Sequence, residues 1–557
     1  LQTSSQTFIM RKIIILLFLS SLSLFINAQA YIPPEKPKLV IGIIVEQLRY
    51  DQLEKLSAIL ADDGIKKMIN EGTYYKNASY SYLLSQAAPG YATISTGTDP
   101  SYHGLTSDSW YNLFNDQVIY CVQDPKVNPV GGSFESGLFS PANLLASTFS
   151  DELKMATCGQ AKVFGIGIKD MSAIITAGHS ADGAFWYDDK TGTWMSSTYY
   201  TSALPGWLMD FNATMTPEKY LSDQWKPLKD PSLYPGCGKD TSKFENGFDQ
   251  QTWFPYDLDK LSKKDKPAGQ KRNYGFLRQT PFADDFTTDL AIRLIENEGL
   301  GQDDITDFLS VSYSAEDYIG HRFGPSSVEA ADAIVRLDRN ISRIIDEVNR
   351  KVGKKNVLIY FVAAHGVSEI PDLLQANRVP AGYFRLNQSL QLLRSYLNAV
   401  YGQGEWIKGF HDNQIFLNRT LVEDANISLE EMQRKVARFM VQFSGIANAV
   451  PVTVIETGTF SQGLLEKMSN SYSPQRSGDV MIVLNPGWVE KDDDVTNHNS
   501  PYEYDLHVPL IWYGWTTNKA LVTRKVDIKD IAVTLSDLCK VSLPNSANGN
   551  PLTELFR

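Results

Sequence analysis

The chain has 557 residues, 43% of them hydrophobic, and a formal net charge of −12 at neutral pH. A chain of this length buries one large core and has residues left for insertions. Its acidic balance excludes the dominant basic face that a nucleic-acid partner needs.

Met10-Arg11-Lys12 is a positively charged start, Ile13–Phe25 an apolar run and Ala28-Gln29-Ala30 a small-x-small cleavage site. Together they have the three parts of a secretory signal peptide. Residues 1–30 are thus expected as leader and signal peptide, and 31–557 as the mature domain. The apolar run is short for a membrane span, and no later stretch approaches the ~20 apolar residues a span needs. The expectation is an exported, soluble protein, periplasmic or secreted, with no transmembrane segment after signal removal. The four cysteines, Cys121, Cys158, Cys237 and Cys539, are expected as disulfides or buried thiols.

Lys38–Glu46 (KLVIGIIVE) reads as a central parallel strand covered on both faces. Glu46 falls at its carboxyl end, where ligands gather in open α/β sheets. Ala88-Pro89-Gly90 is a tight loop entering a helix through Tyr91–Ser95. Such a junction leaves backbone N–H groups free for an anion. Val163–Ile168 is a buried strand ending at Lys169-Asp170. Residues from about 185 to 280 are rich in Trp, Tyr, Pro and Gly with weak periodicity, and are expected as a cap.

The strand-helix alternation resumes with Phe308–Ser312, the amphipathic Val328–Val352, and Val357–Val362 ending at Ala364-His365. Helical stretches Leu390–Val400 and Leu429–Phe443, with short strands at Gln414–Leu417 and Val450–Ile455, suggest an inserted subdomain at about 385–475. Val480–Leu484 and Val508–Tyr513 are the last apolar strands, and Ile528–Cys539 closes the chain as a helix. The expected fold is α/β: a doubly wound, mostly parallel central sheet, helices on both faces, and inserted cap segments.

Four segments, taken in order, resemble the alkaline phosphatase superfamily. They are Ser85–Trp110 with its Gly97-Thr98-Asp99-Pro100-Ser101-Tyr102-His103-Gly104 run, Asp317-Tyr318-Ile319-Gly320-His321-Arg322-Phe323-Gly324, Tyr504-Asp505-Leu506-His507-Val508-Pro509-Leu510, and the closing helix. The likeness is greatest to the phosphate-irrepressible alkaline phosphatases of Bacteroidetes and to the nucleotide pyrophosphatase/phosphodiesterases, and it runs from Leu39 to Leu552. It implies a threonine nucleophile two residues before the loop proline, a position held here by Ala87. It also implies a two-cation site. Asp317, His321 and His507 match the ligands on the leaving-group side. The other cation matches an Asp, the Thr, and an Asp-His pair, which here are Glu46, Ala87 and Ala364-His365.

An Asn and a Lys-x-Arg pair that cradle phosphate in such proteins correspond to Asp108, and to Lys169 with Met171. With Ala87 and Ala364 offering no oxygen, no intact catalytic residue is expected, and one zinc ion rather than two. Glu46 reaches a metal only through a longer arm, and His365 serves equally as a ligand or a hydrogen-bonded core histidine. Two readings follow. One is a pseudo-phosphatase with a binding or scaffolding role, whose partner is another exported or outer-membrane protein. The other is a phosphoric (di)ester or sulfate ester hydrolase using metal-bound hydroxide.

Overall fold

Strand β1 (Leu39–Gln47) is buried at all nine positions, as its aliphatic, largely β-branched sequence requires. The computed structural model describes residues 35–264 and 266–556, so the expected signal peptide lies outside the described residues. After β1 come helix α1 (Tyr50–Leu56), strand β2 (Thr73–Ser79), helices α2 (Ala87–Thr96) and α3 (Phe149–Ala156), and strand β3 (Val163–Gly167). Helix α4 (Asp170–Ala177) leads to strands β4 (Gly183–Asp188), β5 (Thr193–Ser197) and β6 (Asp307–Tyr313). Helices α5 (Ala315–Phe323) and α6 (Val328–Lys351) precede β7 (Val357–His365), and β12 (His507–Gly514) comes late in the chain.

These strands form an eleven-stranded sheet whose inner order is β2-β12-β7-β1-β6-β3-β4-β5. The β7-β1-β6-β3-β4 run is parallel, whereas β12 is antiparallel to both of its neighbours. The carboxyl ends of β1, β3, β6 and β7 therefore emerge along one edge, the crevice where an α/β sheet builds its site. Strands β4 and β5 lie at the start of the expected cap, yet they belong to the main sheet. Among the described residues no helix is long and apolar enough to cross a membrane.

A second, four-stranded antiparallel sheet has its own core. Helices α7 (Leu386–Tyr401) and α8 (Leu429–Met440) cover strands β8 (Ile407–His411), β9 (Gln414–Leu417), β10 (Ile446–Pro451) and β11 (Val480–Leu484), in the order β8-β9-β11-β10. Leu393, Leu397, Ile415, Met432, Val436 and Ile482 pack between them. Val480–Leu484 is thus an inner strand of the small sheet and not a late strand of the large one. An apolar run carries no label for which sheet it joins, so the sequence located the strand without assigning its sheet. Similarly, Val452–Thr457 turns helical directly after β10. All four cysteines are free thiols, Cys121 and Cys539 being buried.

Two local devices hold the crevice. Gly90, in the first turn of α2, lies so close to β7 that a Cβ there would come 2.4 Å from the Ala364 carbonyl oxygen. Helix α2 ends at Gly97, whose φ of +70° is the left-handed conformation that favours glycine.

Buried Asp151 caps α3. Its carboxylate accepts the Thr148 N–H at 2.9 Å, the His179 and Ser180 N–H groups at 2.7 and 2.8 Å, and pairs with His179 Nδ1 at 2.8 Å. Burial would raise the Asp151 carboxyl, but the His179 imidazole and these N–H donors lower it below the usual carboxylate range. Burial would lower His179, but Asp151 raises it. Asp151→Asn is expected to cost about 2–4 kcal/mol, the range for stripping a charge from a buried hydrogen-bonded pair. The depressed carboxylate contributes above about pH 4 and loses its effect as pH falls through its native pKa. The raised imidazole contributes below about pH 6.5 and loses its effect as pH rises through its native pKa. Urea unfolding of both proteins from pH 3 to 9 should show the gap widest between about pH 4 and 6.5.

Candidate metal centre

β1 and β7 are in parallel register, with Val45 opposite Ala363 and Gln47 opposite His365. That register brings Glu46, Ala364 and His365 to the same level of the crevice. The first turn of α5, directly after β6, supplies Asp317, and His321 follows at i+4 on the same helix face. Lys169 arrives from the end of β3 as the N-cap of α4. The fifth contributor is His498, in the loop before β12.

Two groups of ligand atoms result, each with all members within 4.8 Å of one another: Asp317, His321 and His498, and Glu46, Asp317 and His365. Asp317 is common to both. The three imidazoles are oriented alike. His321 Nδ1 donates to the Thr496 carbonyl at 3.0 Å, His498 Nδ1 to the Ser85 carbonyl at 2.6 Å, and His365 Nδ1 to the Gly366 carbonyl at 2.8 Å. Each bond occupies Nδ1 and leaves Nε2 facing the site, the outer-shell arrangement of metal-binding histidines. The rings gather closely, His365 stacking on His498 at 3.9 Å between centroids and His321 lying 5.3 Å from His498. Among the described residues His365 Nε2 has no hydrogen-bond partner, and Asp317 Oδ1 has only the His321 Nε2 at 3.2 Å beside it. The donor set of one carboxylate and two imidazoles suits zinc, so the first group fits a cation.

Electrostatics distinguish the three rings: His365 and His498 are neutral, whereas His321 carries a proton that a cation would displace. Burial pushes His365 down to about 4 and holds His498 well below the usual imidazole range, so both rings are neutral and able to ligate. Burial would lower His321 too, but Asp317 and Asp494 raise it to about 9. Burial would raise Asp317, yet Lys169 and His321 hold it well below the carboxylate range.

The second group is already occupied by a side chain. Lys169 Nζ lies 2.6 Å from Glu46 Oε1 and 2.8 Å from Asp317 Oδ2, and 4.8 Å from the centre of the Tyr318 ring. Lys169, expected beside an anionic substrate, has its ammonium bound between two buried carboxylates. Burial pushes Glu46 up to about 8, against the lowering influence of Lys169.

The anion-facing end is also altered. Ala87 is the first residue of α2, fully buried, with Gln86 as N-cap. The next N–H, that of Ala88, donates to Asp108 Oδ1 at 2.7 Å. Gln86 braces this contact, accepting from the Asp108 N–H at 2.7 Å and donating to Asp412 Oδ1 at 2.9 Å. The protein's own carboxylate therefore takes a donor that the loop-to-helix junction would offer to an anion. Burial raises Asp108 to about 6, with the Ala88 N–H opposing it. Met171 is buried and touches the Cys121 sulfur at 4.0 Å, so it contributes apolar packing at the position where the resemblance implies an arginine. Tyr91 is fully buried, with Glu46, Lys169 and Asp317 as charged neighbours.

His507, expected with Asp317 and His321, is not in the cluster. It opens β12, stacks on Tyr50 at 4.4 Å between centroids, and its Nε2 bonds the Lys76 carbonyl at 2.8 Å. The ring lies on the Tyr50 side of the crevice, and His498 takes the place given to it. His498 is held by a loop tied at both sides: Ser85 Oγ accepts from the Asn499 and Ser500 N–H groups, and Asp505 accepts from the Ser500 N–H and hydroxyl. In a chain of seven histidines, one flanked by Thr496-Asn497 and Asn499-Ser500 directly before the last strand was the signal available.

The family of type I phosphodiesterases and nucleotide pyrophosphatases matches the chain over residues 40–505. A Myroides odoratus protein named calcium-transporting ATPase is 35% identical over 93% of this chain and 95% of its own length. Alkaline phosphatase PafA of Elizabethkingia meningoseptica is 32% identical over 94% of this chain and 95% of its own. The crystal structure of PafA superimposes with a TM-score of 0.89, covering 94% of this chain and 99% of that one. Murine ectonucleotide pyrophosphatase/phosphodiesterase 5, 12% identical with a TM-score of 0.51 over 92% of this chain and 97% of its own, shares the fold.

Proposed function

Since the chain belongs to the type I phosphodiesterase and nucleotide pyrophosphatase family and has the fold of its alkaline phosphatase relatives, we propose that it is an exported member that has given up covalent phosphoryl transfer and uses its crevice for binding. One observation carries the reading. At the start of α2 the nucleophile position is Ala87, a side chain with no oxygen, and the adjacent Ala88 N–H is bonded to Asp108. A nucleophilic mechanism needs an activated oxygen at that point, and an anionic substrate would meet a carboxylate there.

One zinc ion is assigned to Asp317, His321 and His498, and when bound it supplies Lewis acidity. The protein's own groups orient that ligand set through the Thr496 and Ser85 carbonyls. Beside His498 lies a cavity of about 110 Å³ whose lining includes Asp412, Glu490, Asn499, Ser500 and Asp505. Its acidic walls favour a hydrogen-bond donor or cationic group over a phosphate. Export is read from the signal-peptide pattern of Met10–Ala30, and the partner proposed with it is another exported or outer-membrane protein.

Turnover of aryl phosphate monoesters, diesters and aryl sulfates, with and without added zinc, tests this reading. No native turnover is expected, and Ala87→Thr/Ala364→Asp, which restores both missing oxygens, is the comparison protein. Zinc-dependent native turnover that disappears in His321→Ala would overturn the reading and establish a hydrolase that works without the missing nucleophile.

A further inference from the structure

We propose that Lys169 is the resident cation of the second half of this site, its ammonium joining Glu46 to Asp317 where a two-ion site would place a metal, so that the chain takes one divalent ion. This deepens the binding reading above by fixing the charge content of the crevice.

The geometry supports it in three ways. First, the ammonium reaches both carboxylates at hydrogen-bond distance, 2.6 and 2.8 Å, and both of these side chains are buried. Two buried carboxylates need a compensating positive charge, and Lys169 is the cation in contact with both. Second, the ammonium is fully engaged. Two donors go to the carboxylates and the Tyr318 ring lies 4.8 Å from Nζ, a cation–π distance. Third, the group is too poor to hold a dication against that lysine. Ala87 and Ala364 provide no oxygen, which leaves Glu46, the shared Asp317 and His365. A metal ion drawn to those three would meet like charge at contact distance from Nζ. In the first group the lysine touches one oxygen only, Asp317 Oδ2, while Asp317 Oδ1 is directed to His321 at 3.2 Å.

The unpartnered Glu46 Oε2 and His365 Nε2 are what remains of a larger coordination set. They make the second group latent: removing the lysine should expose three donors.

Zinc equivalents per chain, measured by elemental analysis of the full-length protein after equilibration with zinc and gel filtration, test the proposal without any turnover. The native protein is expected to retain one equivalent. Lys169→Ala and the bulkier Lys169→Gln are expected to retain two, and adding Glu46→Gln to either should return the count to one. With chelator present, both lysine variants should melt below the native protein, and zinc should raise their Tm by more than it raises the native Tm. Two equivalents in the native protein would overturn the proposal, and that result stands even where a variant fails to fold. One equivalent in folded lysine variants would overturn it as well. Native ester turnover would sink the binding reading and leave this count untouched.

Discussion

Asp317→Asn should weaken zinc binding at least a hundredfold and destabilise the metal-free protein by about 3–5 kcal/mol, the usual cost of breaking a buried ion pair. The side chain joins both halves of the site. Its Oδ2 is paired with Lys169 and its Oδ1 faces His321. Asparagine keeps the shape but carries no charge, so the buried ammonium retains only Glu46, whose carboxyl burial has already pushed up to about 8. The imidazoles of His321 and His498 would then form a two-nitrogen set without an anion, and an anionic ligand supplies much of the compensation for desolvating a dication. Calorimetric titration with zinc and urea unfolding in chelator measure the two effects separately. Native-like zinc affinity in Asp317→Asn would refute the assignment of this carboxylate as a ligand.

Asp108→Asn should raise the affinity for sulfate by at least a hundredfold. Sulfate is the suitable probe because its charge stays constant from pH 5 to 9. A carboxylate about 5 Å from a bound anion costs about 3 kcal/mol per unit charge at the effective dielectric of a protein site, and every 1.4 kcal/mol is tenfold. Asparagine still offers an oxygen to the Ala88 N–H, so the α2 junction keeps its hydrogen bond. The pH profile carries the sign. Burial raises Asp108 to about 6, so native sulfate affinity should climb as pH falls through 6 and the carboxyl takes a proton. The variant, with nothing to protonate at that position, should lack this step. Equal affinities at pH 8 would show that Asp108 does not guard the anion position.

The large sheet was legible because parallel strands buried on both faces leave an unmistakable aliphatic run: Lys38–Glu46 gave β1, and Val357–Val362 gave the start of β7. The cluster residues Glu46, Asp317, His321 and His365 were legible too, each falling at a strand end or in the first turns after one. Tertiary geometry decided the rest. His507 and His498 lie nine positions apart around the same strand entrance, and only the hydrogen bonds of the 496–500 loop put His498 among the ligands while Tyr50 and the Lys76 carbonyl claim His507. Lys169 was legible as a site residue, but its target was not, since a four-carbon arm reaches either the substrate side or the carboxylate side and sequence spacing does not distinguish them. Asp412, which braces Gln86 behind Asp108, comes from a subdomain more than three hundred residues downstream. No local pattern announces such a contact.

His321 bonds the carbonyl of Thr496 across a separation of 175 residues in the chain. An ion bridging His321 and His498 would therefore close a very long loop in the unfolded ensemble, and it would bind the native state far better than a chain whose ligands are dispersed. Zinc in this protein would then act as a clasp. It would hold the loop before β12 against α5, slow local opening of the crevice, and protect that loop from proteolysis. Such a benefit needs no turnover, and it would keep a metal site useful in a chain that has Ala87 at the start of α2.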